Sequence, residues 1–281
     1  MGIVTELVFA DEMNRACRHC ATFARANSKL IYERRLIPRP EDETATVTFL
    51  AFEGRTYATT ALHVIGAFGV QAERDGLAPE GYFLPAGKGV LISPPFIAAP
   101  QNWQILAPDV ALREIDAALP SYIGKEAFEL RPGVKPAYPV RFAAAVGFPT
   151  AAKASRAGPL GDRLAMQCVH AVAVGVGAPE SADQLQFFSE IKTTPEIGSL
   201  SGMSGGPVFW SDGEKLGLLG FVKEALDVEP RPGEETIYAG PRVNFIVQHA
   251  SYETFAVWAE HALRDWPKRR DELNQLVPGK A

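Results

Sequence analysis

Gly202-Met203-Ser204-Gly205-Gly206-Pro207 is the stretch that decides the fold, and the apolar run Val208-Phe209-Trp210 follows it directly. A serine flanked by glycines stands on a tight turn, and a strand leaves immediately afterwards. Glycine lets the backbone approach closely and adopt conformations that a Cβ would forbid. The N–H groups of such a turn can converge on an oxygen that becomes negative during acyl transfer. A plain turn before a strand explains the same run, because glycine and proline are the strongest local punctuators.

The chain on either side of this turn has the pattern of short β-strands. Residues 44–52 are rich in β-branched and aromatic side chains, and a turn at 53–55 returns the chain as a second strand. Further short apolar runs between Gly and Pro breaks fill residues 64–100, as in a small barrel with loops. The whole chain is therefore predicted to be mainly all-β.

Two β units with terminal helices account for this pattern. Residues 10–28 lack Gly and Pro and are Ala- and Arg-rich, which favours a helix, and apolar spacing after 251 predicts another. We divide the chain into a helical extension (1–29), a first β unit (30–125), a linker (126–138), a second β unit (139–248) and a C-terminal helix with a tail (249–281).

A serine is a weak nucleophile until a base takes its proton, and that base needs a third group to orient it. The chain has five histidines. His63 alone stands at the end of a predicted hairpin strand, where a rigid element holds a functional side chain well. Asp109 precedes another apolar strand, although an aspartate there is often only a turn residue. His63, Asp109 and Ser204 are therefore the candidate catalytic residues.

Three dispersed motifs resemble those of one enzyme family. Thr60-Ala61-Leu62-His63-Val64, Asp109-Val110-Ala111-Leu112 and the run 201–208 occur in the order found in trypsin/chymotrypsin-like serine peptidases, and the chain is most similar to the bacterial-type, disulfide-free branch. The resemblance implies two antiparallel six-stranded β-barrels with the site in the crevice between them.

The same resemblance implies a serine endopeptidase that hydrolyses peptide bonds. Ser204 would attack the scissile carbonyl, His63 would act as base and then acid, and Asp109 would hold the imidazole. The backbone N–H groups of Gly202 and Ser204 would form the oxyanion hole. Substrate contacts would come from Gly198, Ser199, Lys223 and Ala225.

Two departures from the family pattern are informative. Secreted zymogens of the family carry an aspartate directly before the nucleophile, which pairs with a newly cut N-terminus, whereas this chain has Met203. We therefore expect no activation of that kind. Gly198 occupies the position at the base of the pocket for the residue before the scissile bond (P1), where members specific for Arg or Lys carry an acid.

Bulk composition bounds the partners. The chain has 281 residues, of which 47% are hydrophobic, and its formal net charge of −5 leaves no basic footprint for nucleic acid. No apolar run approaches the ~18 residues of a transmembrane helix, and the start lacks the pattern of a secretory signal. We expect a cytoplasmic protein with a protein or peptide substrate, no nucleic-acid or membrane partner, and terminal helices that either dock a partner protein or close the barrel ends.

The cysteines admit a weaker alternative. Cys17, Cys20 and Cys168 are an odd number and too few for a disulfide framework, so a reduced protein is expected. Cys17-Arg18-His19-Cys20 invites a zinc interpretation, but a structural zinc needs four ligands. Cys168 and His170 could supply the rest only if the fold brought them close. We therefore expect no metal and no cofactor.

Two other functions use the same residues. A binding or scaffold module could keep the barrels without turnover, although such a module has no need of a base and an acid around one serine. An esterase-like acyl hydrolase would keep the chemistry and change the substrate. The α/β-hydrolase version fails, because that fold places the serine first and the histidine last.

Gly198 leads to the first testable prediction. With no acid at the base of the P1 pocket, we expect a preference for neutral P1 side chains, because a buried Lys or Arg would lack a counter-charge there. A positional peptide library measures this directly, and dominant cleavage after Lys or Arg would contradict it.

Overall fold

The computed structural model describes residues 15–26, 43–74, 76, 81–84, 90–93, 95–101, 108–156, 163–181, 183–190, 200–228 and 242–276. Within these ranges the chain is mostly β-structure with three α-helices, which confirms the predicted class. The part of the predicted N-terminal helix before residue 15 lies outside the described residues.

The elements are numbered in chain order. The strands are β1 (Cys20–Ala26), β2 (Thr44–Phe52), β3 (Arg55–Thr60), β4 (Gly81–Leu84), β5 (Val90–Ile92), β6 (Ile97–Ala98), β7 (Ala111–Ile115), β8 (Phe128–Glu129), β9 (Val140–Gly147), β10 (Lys153–Arg156), β11 (Arg163–Met166), β12 (Val169–Val176), β13 (Gln184–Glu190), β14 (Pro207–Ser211), β15 (Leu216–Val228) and β16 (Arg242–His249). The helices are α1 (Leu62–Arg74), α2 (Leu119–Tyr122) and α3 (Tyr252–Leu276).

The second half of the chain forms a nearly closed six-stranded antiparallel barrel. Its strand order is β12-β9-β14-β15-β16-β13. The two edge strands meet where the Ser189 hydroxyl on β13 donates to the Val172 carbonyl on β12, at 2.6 Å. Alternate residues point inward, and Ala145, Leu185 and Phe245 are fully buried in the interior. The barrel gives the turn around Ser204 a rigid base, because β14 begins directly after it at Pro207.

The first half forms one sheet of eight strands among the described residues, not the expected six. Seven follow the order β5-β4-β1-β2-β3-β7-β6, and β8 pairs with β2 in parallel. β8 lies inside the segment 126–138 that was predicted to be a linker. The described ladder does not join β5 to β6. Phe23 and Phe49 lie fully buried in the core of this half.

The predicted N-terminal helix is wrong over residues 20–26. These residues form β1, which pairs with β2 and β4 and is buried along almost its whole length. Small alanines let β1 fit between two neighbours, so tertiary pairing overrides the helical propensity of Ala and Arg. The described residues immediately before β1, 15–19, are helical.

The interpretation of residues 64–100 as loops and short strands missed α1. Val64, Phe68 and Ala72 are four residues apart and form the buried stripe of the helix. Gly66 and Gly69 suggested breaks in the sequence, but both face open space in the helix. Glycine costs a helix only about 1 kcal/mol against alanine, which the buried stripe offsets.

The expectation of a disulfide-free chain is overturned. Cys17, just before β1, is disulfide-bonded to Cys168, just before β12, with Cα atoms 6.6 Å apart. The bond ties the first sheet to the barrel across 151 residues of sequence. Cys20 is a free, buried cysteine whose pKa is raised by burial to about 12, so it stays a neutral thiol.

The predicted C-terminal helix is confirmed as α3. It leaves the barrel after β16 and returns to the first sheet, where Phe255 and Trp258 pack on Leu50, Tyr57 and other buried side chains. None of the described helices is long and apolar enough to span a lipid bilayer. The last element of the chain therefore covers the core of the first half.

This packing leads to a prediction. Trp258→Ala should lower the free energy of unfolding by about 3–5 kcal/mol, because the indole is 1% exposed and its removal leaves a cavity. Val257→Ala is the matched control, since Val257 is 49% exposed on the same turn and should change it by less than about 1 kcal/mol. Denaturant unfolding measures both, and equal effects would contradict the packing of α3.

Candidate active site

His63 and Asp109 form a two-point pair at the edge of the first sheet. His63 is the second residue of α1, directly after β3 and Ala61, and Asp109 lies just before β7. The imidazole Nδ1 is 2.6 Å from Asp109 Oδ2, and the His63 backbone N–H donates to Oδ1 at 2.9 Å. Both carboxylate oxygens are thus used to fix one histidine.

The charge state of Asp109 decides how the pair works. Burial alone would raise the pKa of Asp109, but the hydrogen bonds from His63 and the charges of His63 and Lys223 outweigh it and lower the pKa. The carboxylate is therefore ionised at neutral pH and can only accept. Nδ1 must then carry the proton of a neutral imidazole, which leaves the lone pair on Nε2 available to a substrate or nucleophile.

The barrel holds Asp109 from the other side. The Asp109 N–H donates to Gln248 Oε1 at 2.9 Å, and Gln248 Nε2 donates to the Asp183 carbonyl at 2.8 Å. Gln248 is a buried amide on β16. The sequence analysis did not identify Gln248, because a single glutamine in a mainly apolar strand does not indicate a contact with a residue 139 positions away.

The Ser204 turn has a backbone that requires glycine at two positions. Gly202 has φ +100° and Gly205 has φ +83°. A Cβ on Gly202 would lie 2.8 Å from the Phe148 carbonyl oxygen and from Thr150 N and Oγ1. Close approach and left-handed conformation together exclude other side chains at Gly202.

Buried threonines of β2 hold this turn against the first sheet. Thr46 Oγ1 donates to the Gly202 carbonyl at 2.8 Å and accepts from the Phe148 N–H at 3.0 Å. The Thr46 N–H donates to the Ser204 carbonyl at 3.1 Å, and Thr48 Oγ1 donates to the Gly205 carbonyl at 2.8 Å. The opposite half of the chain therefore fixes the position of the Ser204 turn.

The backbone N–H groups of Gly202 and Ser204 are the two candidate oxyanion donors of the turn. The Ser201 carbonyl accepts from the Thr150 N–H at 2.6 Å, and the C=O and N–H of a trans peptide point in opposite directions. The Gly202 N–H therefore points away from Thr150. Within the described part of the chain, neither the Gly202 nor the Ser204 N–H donates a hydrogen bond.

The Ser204 hydroxyl rests on a neighbouring strand. Ser204 Oγ donates to the Lys223 carbonyl at 3.2 Å. The β15–β16 register shifts between Val222 and Glu224, so Lys223 is the extra residue of a bulge. Bulges occur beside active sites, where they redirect backbone and side chains. No hydrogen bond joins Ser204 to His63 among the described contacts.

Two cavities flank His63. One of about 240 Å³ is lined by His63, Gly202 and Ser204, among others, so the structure brings the predicted base and nucleophile to one space. The other, of about 550 Å³, is lined by His63, Asp109, Lys223 and Glu224 together with residues of the first sheet. The larger cavity lies in the range of about 300–1,000 Å³ that is typical of pockets for small-molecule ligands.

The predicted substrate contacts are only partly described. Gly198 and Ser199 lie outside the described residues. Lys223 lines the larger cavity, and Ala225, two residues along β15, is half-buried against the barrel core. Among described residues, one group could hold a metal ion, Cys17 with Cys168 and His170.

Comparison with known proteins gives only distant likenesses. No family model matches the chain, and no curated protein matches it. A thermostable serine protease from an extremophilic microorganism is similar at TM-score 0.45 and 11% identity, covering 88% of this chain and 98% of its own. Human heparin binding protein is similar at a TM-score of 0.43 and 14% identity, and the match covers 95% of this chain and 96% of that protein. The serine protease domain of the Sesbania mosaic virus polyprotein is similar at a TM-score of 0.37 and 15% identity, and the match covers 81% of this chain and 87% of that domain.

The threonine contacts lead to a prediction. Thr46→Val should lower the free energy of unfolding by about 2–4 kcal/mol, because it leaves the buried Phe148 N–H and Gly202 carbonyl without a partner while keeping the volume. Thr46→Ser retains the hydroxyl and should cost clearly less. Chemical denaturation measures both, and a Val variant as stable as the Ser variant would refute this role.

Proposed function

We propose that the protein is a serine endopeptidase that hydrolyses peptide bonds through Ser204, His63 and Asp109. The observation that carries the proposal is the His63–Asp109 pair, bound through both carboxylate oxygens, opening on the cavity that Ser204 also lines. In this proposal the first sheet takes the place of the other β-barrel of the family, and the site lies between the two halves of the chain.

In the acylation step Ser204 Oγ turns from the Lys223 carbonyl towards His63 Nε2. The imidazole takes the hydroxyl proton as the oxygen attacks the scissile carbonyl, and it then gives the proton to the leaving amine. Asp109, ionised and held by Gln248, stabilises the imidazolium that forms in between. Water repeats the sequence on the acyl-enzyme and releases the acid.

The tetrahedral intermediate needs donors for its negative oxygen. Within the described part of the chain, the Gly202 and Ser204 N–H groups donate no hydrogen bond, so both are available as donors. Losing one donor of this kind costs about 2.7–4 kcal/mol of transition-state stabilisation. The threonine-anchored turn would supply that preorganisation.

Met203 supports regulation other than the zymogen switch. Its side chain is fully buried in the barrel core, and a buried thioether offers no counter-charge to an ammonium group. Activity without a newly cut N-terminus is therefore part of the proposal, as is a cytoplasmic location. For α3, whose apolar face packs on the first sheet, we propose the covering role over a partner-docking role.

One observation favours an alternative. Because the Ser204 hydroxyl hydrogen-bonds to Lys223 and not to His63, a non-catalytic binding module with the same residues is the second candidate. An esterase-like acyl hydrolase is the third, since its chemistry is the same up to the leaving group. The experiment below separates the three.

A fluorophosphonate probe reports a serine activated by a base. We expect the full chain to be labelled at one site and Ser204→Ala to abolish labelling, because the probe bonds to the nucleophilic oxygen. Ser201→Ala is the matched control, since Ser201 lines the same cavity three residues away. Asp109→Asn should slow labelling strongly by favouring the wrong tautomer. Mass spectrometry of the adduct gives the site.

Each outcome decides between the candidates. Absence of labelling in the wild type would sink the enzyme proposal and favour the binding module. Labelling with hydrolysis of an activated ester but of no peptide in a library would favour the acyl hydrolase. Labelling lost in Ser201→Ala and kept in Ser204→Ala would show that the nucleophile is misassigned.

A further inference from the structure

Three side chains with metal-binding atoms converge at the junction of the sheet and the barrel. The ligand atoms of Cys17, Cys168 and His170 lie within 4.8 Å of one another. His170 Nε2 is 3.0 Å from Cys17 Sγ. None of the three lines either cavity beside His63, so this cluster is separate from the proposed catalytic residues.

Both halves of the chain position the cluster. Cys17 lies in the turn before β1, and its carbonyl accepts from Lys125 Nζ at 2.9 Å. Cys168 directly precedes β12, and His170 is two residues further along the extended chain. Residues i and i+2 of a strand point to the same side, so Cys168 and His170 face Cys17 together. The convergence therefore results from the fold.

We propose that the reduced chain binds one Zn²⁺ through Cys17 Sγ, Cys168 Sγ and His170 Nε2, with water as the fourth ligand. Two thiolates and an imidazole are a donor set that suits zinc. Bond lengths of about 2.3 Å to sulfur and 2.0–2.1 Å to nitrogen place tetrahedral ligand atoms about 3.3–3.8 Å apart. The described side chains reach that spacing by small shifts once the disulfide opens.

The exchange is balanced. Two molecules of a small thiol of the glutathione class together give two electrons to the Cys17–Cys168 bond. They become one disulfide, and both cysteines become thiols. Zn²⁺ then displaces two protons from these thiols and takes the neutral imidazole nitrogen. All three side chains are partly exposed, so reductant, ion and water have access.

The proposal gives the cluster one role in two redox conditions. Disulfides persist in oxidising compartments and are rare in reducing ones. In the former, Cys17–Cys168 ties the first sheet to the barrel covalently. In the latter, the zinc ion joins the same two segments. This role does not depend on the proposed peptidase activity.

Metal content of the full chain tests the proposal. The protein is reduced with a phosphine, stripped with a chelator, given Zn²⁺ and desalted, and the metal is counted by mass spectrometry. We expect one zinc per reduced chain and none per oxidised chain. A chelator should then lower the thermal midpoint of the reduced, zinc-loaded chain by several degrees and leave the oxidised chain unchanged. Reduced chain without bound zinc would overturn the proposal.

Variants and a spectroscopic probe assign the ligands. His170→Gln keeps both cysteines and should lose at least ten-fold in zinc affinity, whereas Cys20→Ser is the matched cysteine control and should retain one zinc. An unchanged zinc affinity in His170→Gln, or loss of zinc in Cys20→Ser, would contradict the ligand set. If a variant does not fold, Co²⁺ bound to the reduced wild type decides, since thiolate ligands give a charge-transfer band and its absence overturns the proposal.

Discussion

The hydrogen bonds from Thr46 and Thr48 to the Gly202–Gly205 turn are the constraint on which the rest of the structure depends. They are buried, they cross from the first sheet to the barrel, and they involve the carbonyls of Gly202, Ser204 and Gly205. The Ser201 and Met203 carbonyls, which share their peptide planes with the Gly202 and Ser204 N–H groups, accept from the Thr150 and Gly206 N–H groups. A buried polar network of this kind is useful only when every member is satisfied, so the geometry is held as a unit.

The two halves also depend on each other at the histidine. The first half of the chain supplies His63 and Asp109, but the amide that holds Asp109 comes from Gln248 in the barrel. The Ser204 turn shows the reverse arrangement, because Thr46 and Thr48 of the first sheet hold the turn that leads into the barrel strand β14. Each half thus orients a candidate site residue of the other half. A shift between the halves would move both Asp109 and the Ser204 turn. The carbonyl of Lys223 adds a resting position for the Ser204 hydroxyl between these two supports.

Local signals predicted the parts of this fold that short segments decide. The hairpin at 44–60, the turn around Ser204 and the C-terminal helix follow from β-branched runs, glycines and apolar spacing. β1 was not predicted, because its burial between neighbouring strands overrides its helical propensity. α1 was not predicted, because glycines within it obscured the apolar residues that recur at every fourth position. The Gln248 contact and the disulfide link residues 139 and 151 positions apart, and no local pattern carries that information. The sequence indicated His63, Asp109 and Ser204 as candidates, but it did not indicate the contacts that hold them in place.

The return of α3 to the first sheet has a consequence for biosynthesis. Phe255 and Trp258 complete the core around Leu50 and Tyr57, some 200 residues earlier in the chain. During translation the N-terminal half therefore emerges with an apolar face that stays uncovered until residues near 260 have left the ribosome. All residues of the candidate site, through Gln248, precede this helix in the sequence. The core beside Asp109, which includes Val110 and Leu112, is therefore completed only after the residues of the site have been synthesised.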